Sequence, residues 1–326
     1  MRKEIALTLF ALLLVVLWSV LSCAEAYKPD AVANLAWLHS ILFDHDLHFG
    51  NEYKILKQSM FQAYASETAY RVNPLGVGAA ILLLPFYLLG FVGTFIHNYN
   101  SVNPLAYDGL NIMFRQAAGL GGAFYGAATL FLSARIAACF GSRRTALWAA
   151  MLTVAGTPLL YYSSIGSLYP HTATAFLVAL FIDRLLVEHK NLWNIVFMGL
   201  VGGMMLCASL QCIFILLLLP LAWWLNRKWS INVWIIFTAS LLVGFMPQLF
   251  VWQRIYGAPL PIRDLLIWQG QAGFSPLQML FSSHHGLFIW SPLLIFSFIG
   301  FGLFYQRQRL YSLLLTAVCL FFILIN

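Results

Sequence analysis

The sequence predicts an all-α polytopic membrane protein with about nine transmembrane helices, plus interfacial helices in a long extracytoplasmic loop after the first of them. Three observations lead there. Of its 326 residues, 61% are hydrophobic and 9% charged, with a mean hydropathy of +0.82, and that is more apolar surface than one soluble core can hide. The apolar residues fall in runs near the roughly 20-residue length that crosses a bilayer. The basic residues gather in small clusters at the ends of those runs, as topology signals do.

Taken in order, the runs cover 5–22, 76–97, 115–138, 146–162, 172–187, 192–209, 212–225, 231–251, 288–304 and 310–325, within a single integral membrane domain over 1–326. The first follows MRKE and ends in CAEA, so it reads as an uncleaved first span or as a signal peptide cut after Ala24-x-Ala26. Either way the chain continues outside from about residue 27. Crossing the bilayer with all ten runs would place Arg143 and Arg144 opposite Arg2 and Lys3, against the positive-inside rule. The run 76–97 is therefore expected to be an interfacial or re-entrant helix, weakened by Pro85 and by Gly76, Gly78, Gly90 and Gly93.

With that assignment the N-terminus is cytoplasmic. Arg2, Lys3, Arg135, Arg143, Arg144, Arg184, Lys190, Arg227, Lys228, Arg307 and Arg309 then lie inside, joined by only three acids, Glu4, Asp183 and Glu188. Most acids and histidines fall in two outer loops, 23–112 and 253–287. Five to six spans occupy 113–252, and the last spans occupy 288–326. The final run reaches Asn326 without a polar flank, which predicts a truncated product or fragment.

A net charge of +7 raises nucleic acid as a partner, but no basic stripe interleaved with aromatics exists, so none is expected. Cys23, Cys139, Cys207, Cys212 and Cys319 have no C-x-x-C or zinc-ligand spacing and read as packing residues. No Gly-rich phosphate loop of the Walker or Rossmann type occurs.

The chemistry concentrates outside. FDHDLHFGNEY (43–53) sets Asp44, Asp46 and Glu52 beside His45, His48 and Asn51. Asp44 and Asp46 either share a divalent cation, with His45 or His48 adding a ligand, or shape a substrate site, or are solvated loop residues. Any cofactor stays unknown beyond such a cation.

The order of PDAVANLAWLHSILFDHDLHFGNEY (29–53), NPLGVGAAILLLPFYLLG (73–90), Arg115, GTPLLYYSS (156–164) and LFSSHHGLFIWSP (280–292) resembles the GT-C glycosyltransferases of the protein O-mannosyltransferase and lipid A aminoarabinose transferase type, especially their bacterial relatives. The resemblance covers most of the chain and rests on the order of short motifs. It implies a GT-C-like fold in the bacterial inner (plasma) membrane with its active face extracytoplasmic. The implied donor is a polyprenyl-phosphate-linked sugar, and the implied acceptor a lipid, glycan or protein, with membrane lipids as surroundings.

Asp30 stands where such enzymes carry a catalytic carboxylate, although the aromatics that usually follow are replaced by DAVANLAW. A carboxylate there would take the proton of the attacking hydroxyl; otherwise it caps the helix after Pro29. The departing phosphate needs cations or donors. Arg115, opening a span, is a candidate or else snorkels to the interface. His285, with His284 beside it, is the second candidate, near Ser282 and Ser283. Arg254, Arg263 and Asp264 either bind an acceptor or simply pair with each other, and His171, outside the fourth span, either reaches the cavity or is a helix-start residue beside the belt aromatics Tyr161 and Tyr162. The alternative function is a transporter or flippase of a polar lipid, or an inactive truncated membrane protein. A carrier would place polar groups at mid-membrane and show related halves, and neither is evident.

Overall fold

The computed structural model describes residues 17, 28–57, 70–99, 101–186, 191–219, 230–262, 276–283 and 286–325. All regular elements among the described residues are helical. The predicted first span, 5–22, lies outside them except for residue 17.

The chain divides into two compact units, the first formed by 1–129, 159–176 and 250–259, the second by 130–158, 177–249 and 260–326. The helices are α1 (Pro29–His39), α2 (Gly50–Ile55), α3 (Gly78–Tyr99), α4 (Ile112–Ala138), α5 (Arg143–Ala155), α6 (Leu159–Ser163), α7 (His171–Leu185), α8 (Leu192–Ala208), α9 (Ile231–Tyr256), α10 (Pro276–Phe281), α11 (Leu287–Trp290), α12 (Ile295–Arg307) and α13 (Arg309–Ile325). Among the described residues α3, α4 and α9 are long and apolar enough to cross a membrane, and α8 and α13 are shorter apolar helices.

In the first unit, α1 is enclosed on every side: Ala31 to His39 are all buried. Small residues at 31, 33 and 36 allow this close packing, and side chains of the surrounding chain meet its polar groups. Asn73 donates to the Ala33 carbonyl at 2.7 Å, Asn34 donates to the Leu168 carbonyl at 2.8 Å and the Trp37 indole donates to the Leu75 carbonyl at 3.1 Å. Asn73 also accepts from the Leu75 amide at 3.1 Å. The NPLG stretch thus acts as a polar clasp on the helix, satisfying groups that burial would otherwise leave unpaired.

Helix α3 runs without interruption through Pro85, and its 22 residues give a length of ~33 Å, against a hydrocarbon core of about 30 Å. Pro85, expected to weaken the helix, lies inside it without ending it; one turn earlier, Tyr125 donates to the Leu82 carbonyl at 2.9 Å. Leu83, Tyr87, Gly90 and Thr94 form its buried stripe, while Leu88, Leu89, Val92, Phe95 and Ile96 are exposed. A helix apolar on its exposed face as well as its buried one suits lipid rather than water.

In the second unit, α8 and α9 pack backbone to backbone. A Cβ on Gly203 would meet the Leu241 carbonyl, and one on Gly199 would stand 2.6 Å from the Phe237 carbonyl. The Cys207 thiol donates to the Gly244 carbonyl at 3.4 Å, in keeping with a packing role. Arg135 Nε lies 3.3 Å from Asp183 Oδ1, and Arg184 bonds the same carboxylate. The run 146–162 is divided by the Gly156–Pro158 corner, the run 212–225 begins as a 3-10 helix over Leu210–Leu218, and the run 288–304 is divided around Pro292.

Candidate functional site

Both ends of α1 carry chemistry. At its start, Asp30 lies in the first turn, while Lys28 occupies the cap position without a side-chain bond, so Asp30 does not cap the helix. Its Oδ2 is 3.6 Å from His171 Nε2, and both side chains are substantially open, at 40% and 43% exposure. His171 begins α7, and aromatic rings surround it: its centroid is 4.2 Å from that of Tyr162 and 5.8 Å from that of Tyr169. Tyr161 and Tyr162, from the GTPLLYYSS motif, meet edge to face at 5.3 Å. The result is a solvent-reachable carboxylate and imidazole on an aromatic wall. Such a pair can accept a proton, and the rings offer flat apolar surface.

At the other end, α1 widens into a π-helical turn, Ser40–Asp44, closed by His45 in the left-handed region at φ 56°. That turn brings Asp44 back beside His39, and the short helix α2 supplies Glu52. His39 Nδ1 is 3.0 Å from Glu52 Oε1 and 3.2 Å from Asp44 Oδ2. Side-chain exposure is 8% for His39, 29% for Asp44 and 0% for Glu52, so Asp44 forms the mouth and Glu52 the floor. One ligand atom from each residue lies within 4.8 Å of the others, a spacing that can hold a metal ion.

Aromatic packing fixes the imidazole. Phe43, on the same turn, stacks on the His39 ring at 5.3 Å with 9° between planes, and is itself held by Phe91, Phe114 and Tyr87 at 5.6, 5.7 and 6.4 Å. Tyr87 donates to the Gly109 carbonyl at 2.7 Å.

The electrostatics follow from crowding three ionisable groups. Burial would by itself lower the His39 pKa, but the hydrogen bond to Glu52 and the charges of Asp44 and Glu52 outweigh it and hold the imidazole above its usual range. Glu52 is pushed up, first by burial and also by the Asp44 carboxyl, against the bonds of His39 and Ser40. Burial would raise Asp44 too; bonds from Glu52 and Asn51 and the His39 charge win, and it is held below its usual range.

The other expected residues are placed as follows. Asp46 turns away from the trio toward the Ser40 hydroxyl and the His48 amide, at 3.0 and 3.1 Å. His45 is exposed, and His48 sits 6.1 Å from the Tyr70 ring. Asn51 donates to Asp44 at 2.5 Å. Arg115 is half-buried in the first turn of α4, and Arg254 lies over the Phe250 ring at 5.4 Å. His284, His285, Arg263 and Asp264 lie outside the described residues, and Ser283 accepts from the Trp290 indole at 3.1 Å.

Comparison with protein-family models, curated proteins and solved structures found no match for this chain.

Of the residues in these sites, the sequence alone does not single out His39 and leaves His171 between a cavity role and a helix start. His39 ends an apolar helix, five residues before Asp44 and thirteen before Glu52, which is no helical or strand period, so only the π turn unites them. His171 follows Tyr-Pro, a pattern equally suited to a bland helix start; the nearness of Asp30, 141 positions earlier in the numbering, is a tertiary fact.

Proposed function

We propose that this chain is a membrane glycosyltransferase that moves a sugar from a polyprenyl-phosphate donor to a lipid, glycan or protein acceptor on the extracytoplasmic side of a bacterial inner membrane. About nine spans and a GT-C-like arrangement belong to the same proposal. The observation that supports it is the Asp30–His171 pair, open to solvent and walled by Tyr162 and Tyr169 at the start of a rigid buried helix.

In the proposed reaction an acceptor hydroxyl attacks the anomeric carbon and its proton passes to Asp30. The bond from that carbon to the phosphate oxygen breaks as the new glycosidic bond forms, with inversion, and the polyprenyl phosphate departs with the electron pair. His171 orients the Asp30 carboxylate toward the hydroxyl. Arg115, with His285 or His284, steadies the phosphate charge, because a fixed cation stabilises charge that develops on departure. The tyrosine faces offer flat apolar surface on which a sugar ring can stack.

The test is mass spectrometry of polyprenyl-phosphate sugars from cells lacking the gene, cells carrying it and cells carrying Asp30→Asn. The proposal expects one such lipid to accumulate in the deletion and in the variant. Identical profiles in all three, with the variant inserted normally, would refute it, and vesicle flux of a polar lipid would then be measured.

A further inference from the structure

We infer that His39, Asp44 and Glu52 form a binding site for a divalent transition cation, Zn2+ or Mn2+, at the C-terminal end of α1. The inference does not rest on the glycosyl-transfer reading, since it concerns the opposite end of the helix from Asp30.

Four observations carry it. The first is spacing: His39 Nδ1 stands 3.0 and 3.2 Å from the two carboxylates. Ligands bound at about 2.0–2.1 Å are separated by roughly 3.3 Å around a tetrahedral ion and by roughly 3.0 Å around an octahedral one.

The second is a shortage of protons. Glu52 Oε2 is sealed from water and has no hydrogen-bond donor among the described residues, although it belongs to a fully buried carboxylate. The Ser40 hydroxyl is 3.0 Å from both Glu52 Oε1 and Asp46 Oδ1 but can donate to only one. His39 Nδ1 likewise faces two carboxylates with one proton at most. A fully buried carboxylate that faces another and has one oxygen without a donor calls for a positive charge, and a divalent ion at this point meets all three groups at once.

The third is that every ligand has its own outer support, the arrangement that orients metal ligands. The Asp108 backbone carbonyl bonds the His39 ring. Asn51 holds Asp44 and Ser40 holds Glu52. Asp108 is itself fixed, accepting from the Leu110 and Asn111 amides at 2.9 and 3.1 Å.

The fourth is access. Asp44 is partly exposed at the mouth, giving an ion a way in and leaving coordination positions for water or a ligand oxygen. One imidazole with two carboxylates suits Zn2+ or Mn2+ better than Ca2+, which prefers oxygen alone.

The experiment uses the full chain purified in detergent and stripped with chelator. Titration with ZnCl2 and with MnCl2, followed by calorimetry and by metal analysis after desalting, should show a single ion bound. Asp44→Asn should weaken binding by about tenfold or more, and Asp30→Asn should leave it unchanged. Glu52→Gln should abolish binding, and because its burial puts folding at risk, the exposed Asp44 variant carries the decision. In the wild type, Co2+ should give visible d–d bands that Asp44→Asn changes. No binding by wild type up to about 1 mM cation, or equal affinity in Asp44→Asn, would overturn the inference. Loss of transfer activity in Asp30→Asn with intact metal binding would leave both proposals standing separately.

Discussion

Replacing Gly109 by alanine should damage the His39 cluster from a distance. Gly109 sits at φ +74°, and a Cβ there would collide with Phe43 Cε2, stand 2.8 Å from Phe43 Cδ2 and 2.6 Å from the Tyr87 hydroxyl. Two costs add. Holding an L-residue in the left-handed region costs roughly 1–2 kcal/mol, and forcing an extra methyl into packed aromatics costs about 1–3 kcal/mol. The sum is about 2–5 kcal/mol, and the group that must yield is the Phe43 ring stacked on His39. Gly109→Ala should therefore lower unfolding free energy in a denaturant titration by that amount and weaken Zn2+ or Mn2+ binding as well. Gly93→Ala is the internal comparison, since its Cβ meets only the side chain of Met113, at 3.3 Å. The nearest atom, Met113 Cβ, needs to give by only a few tenths of an ångström, and helix propensity favours alanine over glycine by about 1 kcal/mol, so a change within about 1 kcal/mol is expected, with metal affinity intact. Equal stability of Gly109→Ala and wild type would refute the steric argument; loss of stability with unchanged metal affinity would refute the link from Phe43 to the cluster.

The remaining predictions concern the clasp, the pH response and the second unit. Asn73→Ala removes a donor to Ala33 and an acceptor for the Leu75 amide and should cost about 1–3 kcal/mol, two hydrogen bonds at roughly 0.5–1.5 kcal/mol each; denaturant titration checks this. In chelated protein, the folded His39 value lies above its ordinary 6.5 and that of Glu52 above 4.5. Both groups hold protons more tightly when folded, so their stabilisation is present in mild acid and is lost as pH rises through the folded values. Asp44, held below 3.8, acts in the opposite sense and is lost only in stronger acid. The metal-free chain should therefore lose stability from mildly acidic to mildly alkaline pH, and added Zn2+ should reverse the slope, because binding displaces protons. In the second unit, Gly203→Ala should destabilise by about 2 kcal/mol or more, since its Cβ meets backbone that cannot swing away. Gly300→Ala, with nothing within 4 Å, should instead gain up to about 1 kcal/mol from helix propensity.

How far the sequence could be read depended on whether the signal was periodic or tertiary. The all-helical class followed from composition, and apolar runs marked where α4, α8, α9 and α13 form. Proline and glycine were poorer guides: Pro85 leaves α3 whole, whereas Gly156, Pro158 and Pro292 divide their runs. Local composition does not tell these cases apart: α3 continues through Pro85, and Tyr125 bonds the Leu82 carbonyl one turn before it, a tertiary contact that no local pattern encodes. The polar cluster shows the same limit. Asp44 and Glu52 were visible as carboxylates in one stretch, but their histidine was not the adjacent His45 or His48. It is His39, outside that stretch, because the backbone reverses at 40–44 and points the neighbours elsewhere.

Helix α1 also constrains how its two ends divide their work. Asp30 and His39 stand nine residues apart on a continuous helix, a separation of ~13 Å at 1.5 Å per residue. Groups acting on the same reacting atom lie within about 3–3.5 Å of it, so the Asp30–His171 pair and a cation at the far end do not act on one bond. A cation at His39, Asp44 and Glu52 would instead tie the end of α1 to α2 and fix the Ser40–Asp44 turn, whose Phe43 reaches α3 and α4. Its open coordination positions face the Asp44 mouth, where an oxygen of an acceptor far from its attacking hydroxyl could bind. The charge on a departing phosphate must then be met by other residues nearer Asp30. On these proposals the two ends of α1 differ in what they require: a general base at Asp30 must be free to take a proton, whereas the fully buried Glu52 carboxylate at the far end calls for a cation.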